Sequence, residues 1–511
     1  MLIHPLPTTF NLNLSLVLLW YGYIYYLLFM FFIFLTLVFL SRLVFLNNFY
    51  RTNLSSFLLQ HILSFFTFFS FTALITIYNL LDFYSCLSVD ILMDPLVVGY
   101  LDTMPIEHSF HSFLLTLHLL SIYSFPFIYI FVLITVISLL FCLSYNTNEV
   151  MGFSFYATLI LVAGYVLFFT DSLILFFLSY ELLLVPSFFI LYNFAKTRRC
   201  VEAAYLMFFW TQFGAMFLIF SFLYLFFLCG TSTFSSLSFI TLSPFELNFL
   251  FFCWLVGFGV KLPIWPFYGW LPKAHVEAST NFSIFLSGVL VKFAFFGLLK
   301  CLVTVQLEPT FFYIYPFLFI GIVDAVFKLF YQVDLKKLVA YSTVVEMHWL
   351  TICVISGHSP LMLASFCMLI SHALLSTNSF LLVDAIGRRF KTRLVTEING
   401  INFVCPKLFL VSLLNLLIFL GFPGSVMFVA EILFFAFFFD LFPLLSLLLI
   451  ILLYLLGPTF FFRTWTNVLF GSSAIFLKTL PQDLLSKELI LYGGLLALMF
   501  WLGVTWQAFI F

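Results

Sequence analysis

The sequence has little charge. Only 8% of its 511 residues are Asp, Glu, Lys or Arg, against about a quarter in a soluble domain. That excludes a water-soluble globular protein, whose surface needs those groups. The net charge is −1, so no basic excess points to nucleic acid or another polyanion. Paired cysteines are also lacking. The nine cysteines are scattered and none form a C-x-x-C, which removes an iron–sulfur run and a zinc cage from consideration. Neither G-x-G-x-x-G nor a phosphate-binding G-x-x-x-x-G-K-[ST] occurs. Any redox or nucleotide chemistry is therefore expected in another chain. The opening MLIHPLPTTFNLNL carries no Lys or Arg, unlike a secretory signal or a transit peptide.

What is present is apolar. Hydrophobic residues make up 64% of the chain, with 79 Phe among them. Long uncharged runs predict an all-α polytopic membrane protein. Spans of roughly twenty residues number about fourteen: 14–40, 54–82, 112–142, 151–170, 172–194, 202–228, 247–270, 281–304, 310–330, 337–356, 359–384, 408–437, 441–462 and 489–510. The phenylalanine bias suits an AT-rich genome. With the missing transit peptide, it suggests synthesis inside an organelle.

The basic residues test that count. All 20 Lys and Arg except Lys261, Lys292 and Lys300 fall in or beside the loops that follow odd-numbered spans. The loop after span two instead carries Asp82, Asp90, Asp94, Asp102 and Glu107. Because basic loops stay on the cytoplasmic or matrix side, both termini are expected on the opposite side. Trp20, Trp265, Trp270 and Trp465 lie near span ends, as interfacial anchors do.

A few charges stand where charge is expensive. Lys261 is the only charged residue between Glu246 and Lys273, roughly 18–22 Å from either as a helix rises. Lys292 is alone between Glu277 and Lys300, Glu181 between Asp171 and Lys196, and Glu431 between Lys407 and Asp440. His372 occupies the middle of span eleven, and Glu346 lies nine residues past Lys337 in span ten. Any one of the carboxylates could be a protonated interhelical hydrogen-bonder, and His372 alone could be the same. Asp324 and Lys328, at i,i+4, read as a local pair near the basic side. His348 points to another side of its helix from Glu346 and reads as packing. As a set, two lysines, three carboxylates and a histidine within the membrane describe a proton relay. Burial penalises the charged form of each group, and a nearby opposite charge restores it. Making and breaking such a pair loads and releases a proton.

Two spans contain breaks: Lys261-Leu262-Pro263 in the seventh and Gly421-Phe422-Pro423-Gly424 in the twelfth. Proline there frees carbonyls that can hold ions or water. The chain accordingly divides into N-terminal spans (1–145), two five-span units (151–304 and 310–462) and a C-terminal loop with a last span (463–511). An odd number of spans per unit makes the two units inverted, each broken at its fourth span.

At these residues the sequence resembles a known family. LPKAHVEAS (271–279) with SGVLVKFAFFGLLK, DLKKLVAYST (334–343), GFPGSVMFVAE (421–431), SYE (179–181) and ISHALLS (370–376) resemble the signatures of subunit 4 of mitochondrial NADH dehydrogenase, respiratory complex I. That is one of the antiporter-like, proton-pumping subunits. The similarity runs from about residue 150 to 435. The resemblance implies that Glu181 and Lys261 form a glutamate–lysine pair, Lys292 and His372 the central relay, and Glu431 the exit-side acid. The family has histidine where this chain has Glu346, so that step runs on a different charge. It further implies an enzyme subunit with no cofactor of its own. NADH, FMN, iron–sulfur clusters and ubiquinone are expected in partner subunits of the membrane and peripheral arms, with lipid around this chain and no nucleic acid. The expected location is the mitochondrial inner membrane, with both termini towards the intermembrane space. A secondary cation/proton antiporter would share the same lysines and glutamates and is the competing reading.

Overall fold

The computed structural model describes residues 128, 130–141, 150–194, 197–230, 232–237, 242–305, 314–357, 359–452, 457–471 and 481–505. The first two predicted spans and most of the third lie outside them. The described residues are helical, with no strand beyond two isolated bridges, Ser172 with Thr233 and Asp334 with Leu394. Eight of these helical stretches are long and apolar enough to cross a membrane.

In chain order the elements are α1 (Ile130–Phe141), α2 (Val150–Phe169), α3 (Leu173–Leu182), α4 (Leu184–Asn193), α5 (Arg198–Cys229), the short α6 (Phe234–Leu237) and α7 (Pro244–Lys261). Next come α8 (Trp270–Glu277), α9 (Thr280–Phe285), a π-helical turn (Leu286–Leu290) and α10 (Val291–Thr304). The later part comprises α11 (Tyr315–Phe330), α12 (Leu335–Ile355), α13 (Ser359–Phe390), the short α14 (Ile401–Val404), α15 (Pro406–Phe419), α16 (Val426–Leu441), α17 (Pro443–Ile450), α18 (Gly457–Phe470) and α19 (Ser486–Val504).

Local sequence sets many of these boundaries. Thr197 caps α5 by accepting from the Cys200 amide, and Gly230, at φ +65, closes it in the left-handed region. Ser243 and Glu246 form a reciprocal capping box at the start of α7, with Pro244 in the first turn where its missing N–H is no loss. Asp334 caps α12 and Ser425 caps α16.

Several predicted spans are corrected. The fifth is one span, Leu173–Asn193, with an irregular turn at Leu183 between α3 and α4; Pro186 has no N–H for the Leu182 carbonyl. The seventh stops at Lys261 rather than running to residue 270, and the eighth carries the π turn. The third spans of both predicted units, α5 and α13, are each 32 residues long and overrun their apolar limits. A helix ends where its backbone bonding ends, so Arg198, Arg388 and Arg389 can remain helical beyond the apolar zone. Residues 463–470, read as loop, belong to α18. Lys300, at the even-loop end of the predicted eighth span, is buried in α10; it donates to the Thr170 carbonyl and lies 4.7 Å above the Phe234 ring.

The core is formed by α9–α10, α12 and α13, nearly all of whose spanning residues are buried. Around them, α5 presents Phe209, Met216, Phe220 and Phe227 outwards, the side expected to meet lipid. The C-terminal segment is pinned back onto this core. Glu488 of α19 binds Arg388 at 3.1 Å and also Arg389 at the end of α13. Asp483 accepts from the Lys407 and Leu408 amides at the start of α15.

Candidate functional site: a line of buried ionisable residues

The break after α7 is built by its proline. Pro263 has no N–H, so the Gly259 carbonyl loses its helical partner. The Ile264 amide steps back to take that carbonyl at 2.9 Å. The Val260 carbonyl, bypassed in turn, receives the indole N–H of buried Trp270 at 2.8 Å. Lys261 is left at the end of α7. Its ammonium lies 3.7 Å from Glu181 Oε1, donates to the Tyr180 carbonyl at 3.1 Å and sits 3.4 Å above the Tyr180 ring centroid. Gln212 of α5 donates to the other oxygen of Glu181 at 2.9 Å. The pair is only 12% and 19% exposed for lysine and glutamate. The predicted Glu181–Lys261 contact is therefore present, and it is spanned by loose geometry: 3.7 Å is an ion pair without a tight hydrogen bond.

Lys292 lies deep in the core and donates to the Ser287 carbonyl of the adjoining π turn. The π turn widens the helix by one residue, a feature often found at functional positions. Across from it, His372 Nδ1 and Glu346 Oε2 are in direct contact, and both are buried. Glu346 and His372 are the charge neighbours of Lys292. So the structure brings these three together, with Glu346 as the single acid among them. His348 has no share in that contact. Its Nδ1 bonds the Val344 carbonyl at 2.8 Å and its Nε2 accepts from the Trp265 amide at 2.8 Å, bolting α12 to the α7 break. Gly321 makes room for the ring, since a Cβ there would meet His348 Nε2 at 2.1 Å.

Glu431 is buried in α16 behind the second break. Gly421, at φ +70, gives the turn before α16 its left-handed residue, and a Cβ on it would lie 2.2 Å from Glu431 Oε2. Helix α16 packs along α13, where Ser371 Oγ meets Met427 Sδ at 3.4 Å. Met427 and Glu431 share a face at i,i+4, the face of α16 that meets α13 at Ser371. Gly421→Ala is expected to displace the Glu431 carboxylate as well as to strain the turn by about 1–3 kcal/mol. Gly424, at φ +90 with nothing within 4 Å, supplies the control. If proton pumping falls in Gly421→Ala and survives in Gly424→Ala, the loss belongs to Glu431; equal losses assign it to the backbone alone.

The peripheral Asp324–Lys328 pair forms as expected, at 2.7 Å. It also includes Tyr268, whose hydroxyl donates to Asp324 and accepts from Lys328 at 2.5 Å. Reading the sequence missed two contacts of the Glu181–Lys261 pair, Tyr180 and Gln212, and two further buried ionisable residues, His275 and Lys336. Tyr180 and Gln212 carry no charge to draw attention. Lys336 looked like half of a basic pair with Lys337, yet it is buried and donates to the Ala278 carbonyl at 2.6 Å. Its apolar neighbours Leu335, Leu338 and Val339 were the only available signal.

The profile of the NADH:quinone oxidoreductase/Mrp antiporter transmembrane family matches residues 170–457, more than half of the chain and the whole of this line of residues. The chain belongs to this family. Among antiporter-like relatives, NADH-ubiquinone oxidoreductase chain 4 of Paramecium tetraurelia is 34% identical over 65% of this chain and 70% of its own length. Chain 4 of Marchantia polymorpha is 29% identical over 66% of this chain and 69% of its own. Among solved structures, respiratory complex I from Thermus thermophilus with bound NADH contains a chain that aligns with TM-score 0.66 at 19% identity, over 74% of this chain and 81% of that one. A chain of the Mrp complex from Dietzia sp. aligns equally well, with TM-score 0.66 at 15% identity over 75% of this chain and 81% of that one. At such identities the two structures speak for a shared antiporter-like fold.

Proposed function

We propose that this chain is a chain-4-type, proton-translocating membrane-arm subunit of NADH:ubiquinone oxidoreductase, driven by redox chemistry in other subunits. The observation that carries the reading is the line of buried ionisable side chains set between two broken helices. Glu181 and Lys261 are the pair whose opening and closing gates the proton. Lys292 is the central carrier, and the Glu346–His372 pair receives from it. Glu431 is the acid at the far end. A proton on Lys292 is stabilised by Glu346, and its departure leaves an uncompensated buried carboxylate that draws the next one. NADH, FMN, iron–sulfur clusters and ubiquinone belong to partner subunits, and other membrane-arm subunits and lipid surround this chain.

The architecture under this reading has about fourteen spans, with residues 1–145 ahead of two inverted five-span units, 151–304 and 310–462, and a tail from 463 to 511. Support comes from corresponding features. Each unit is broken at its fourth span, carries a glutamate in its second, Glu181 or Glu346, and has a 32-residue helix as its third. The charge parity of the loops supports both termini facing the intermembrane space of mitochondria.

The same residues would serve a secondary cation/proton antiporter, so the test is what drives the flux. Membrane vesicles carrying the assembled complex should acidify only during NADH oxidation and equally well with or without sodium. Sodium-dependent proton exchange in the absence of NADH would overturn the reading in favour of the antiporter.

A further inference from the structure

From the Glu346–His372 pair to Glu431 the line of buried groups crosses from α12 and α13 to α16, and Trp349 stands at that crossing. Trp349 lies three residues past Glu346 on α12, so the two share a face of the helix. Its ring meets Phe434 of α16 edge-on, with centroids 5.0 Å apart and planes at 86°, and lies 5.5 Å from the Phe435 ring. Those phenylalanines follow Glu431 by three and four residues and share its face of α16. Helical side chains lean towards the N-terminus of their own helix. The Trp349 ring therefore covers the turn that carries Glu346, and the two phenylalanine rings cover the turn that carries Glu431. Their contact joins the two acid-bearing faces.

Trp349 is only 4% exposed, yet its indole N–H has no acceptor among the described residues. A buried tryptophan N–H ordinarily finds one. Trp270 does, on the Val260 carbonyl. The rings beside Trp349 offer none: Phe434 stacks on Phe438 at 5.0 Å, and Phe438 meets the Tyr315 ring at 6.1 Å. Native proteins retain an unpartnered buried donor where it holds water or performs a task. Trp254 of α7 also lacks an acceptor, but residues 250–258 around it hold no Asp, Glu, Lys or His. Of these two indoles, Trp349 is the one set beside acids.

We propose that Trp349 is a positioning residue of the proton path, its indole N–H anchoring a water molecule between the Glu346–His372 pair and Glu431 and fixing which way that water faces. This rests on the reading of the chain as a proton carrier. An indole N–H only donates, so it holds one lone pair of the water oxygen throughout. The other lone pair accepts the proton of the neutral Glu346 carboxyl, and one of the water's two original hydrogens leaves as a proton for the Glu431 carboxylate. Glu346 ends as a carboxylate, Glu431 as an acid, and the water is restored. Rotation about the N–H···O axis returns the water to its starting orientation. The tryptophan itself neither gains nor loses a proton.

The test uses the assembled complex in native membranes with two substitutions. Trp349→Phe keeps a ring against Phe434 and loses the N–H; Trp349→His gives up ring area and keeps a ring N–H. NADH oxidation by ferricyanide reports intact electron input. Expected for Trp349→Phe are parental ferricyanide activity and a fall of about tenfold in coupled quinone turnover, the scale of one hydrogen bond. Its solvent deuterium isotope effect should rise, because proton transfer becomes the slow step. Trp349→His should recover most of the turnover. Parental turnover in Trp349→Phe overturns the anchor and leaves the indole an edge-on packing partner. A Trp349→His variant as slow as Trp349→Phe also overturns it. If Trp349→Phe fails to assemble, Trp349→His decides: near-parental turnover upholds the anchor, and a fall of about tenfold overturns it. Lys261→Met measured in parallel separates the two failures. Parental pumping in Lys261→Met overturns the proton-carrier reading altogether, whereas loss in Lys261→Met with parental Trp349→Phe overturns the Trp349 anchor alone.

Discussion

Lys261→Met is expected to abolish the proton pumping of this chain while leaving the complex assembled. Methionine matches the length of the lysine stem and fills the same space over the Tyr180 ring, so the packing beside the break survives. Removing the ammonium also removes the desolvation penalty of keeping a charge at this depth. Glu181 keeps its bond from Gln212. What disappears is the movable counter-ion. With nothing to pair against, the state of Glu181 no longer depends on the rest of the line. Proton transfer is then expected to slow by a factor of about 10²–10⁴. Proton stoichiometry per NADH in sealed vesicles is the measurement. A parental value would reduce the buried charges to a structural role.

The second large effect concerns Glu346 and His372. Their contact is buried on both sides, and Glu346 is also the acid whose charge acts on Lys292. Glu346→Leu strands a histidine and a lysine at once, and His372→Leu strands a carboxylate. Breaking one partner of a buried pair costs about 3–5 kcal/mol. The double variant is expected to be less destabilised than the sum of the two by about 1–3 kcal/mol, the coupling of residues in direct contact. The temperature at which the purified complex loses its membrane arm provides the scale. Additive losses would mean that the two residues do not act as a pair. Coupled turnover separates stability from transport, because the double variant should remain unable to pump even where it assembles.

Much of this was legible before any coordinates. Lys261, Lys292, Glu181, Glu431 and His372 announce themselves because a membrane span tolerates so few charges that each stands alone in its run. The breaks at Pro263 and Gly421–Gly424 were legible for a similar reason, since proline and glycine have fixed consequences for a helix. The partners were not legible locally, and only the resemblance paired Glu181 with Lys261. Glu181 and Lys261 are eighty positions apart, and nothing local says that α3 and α7 meet there. Helix ends also escaped, because hydropathy marks the apolar zone and α5 and α13 continue past it. His275 was hidden by its neighbours: between Lys273 and Glu277 it looks like part of a wet turn, whereas α8 folds it inwards. Lys336 was hidden by Lys337, since only burial distinguishes a core lysine from a topological marker.

The π turn at Leu286–Leu290 has a consequence for insertion and deletion. Arithmetically it is an α-helix holding one residue too many, and Lys292 follows directly after it. Deleting one residue from 286–290 would yield a regular helix with the residues beyond it in nearly the same register, because a π turn takes up its extra residue within a single turn. What would close is the wide turn whose Ser287 carbonyl receives the Lys292 ammonium. In a regular membrane helix a one-residue deletion turns everything beyond it by about 100°; in this one, regularity itself would be the lesion.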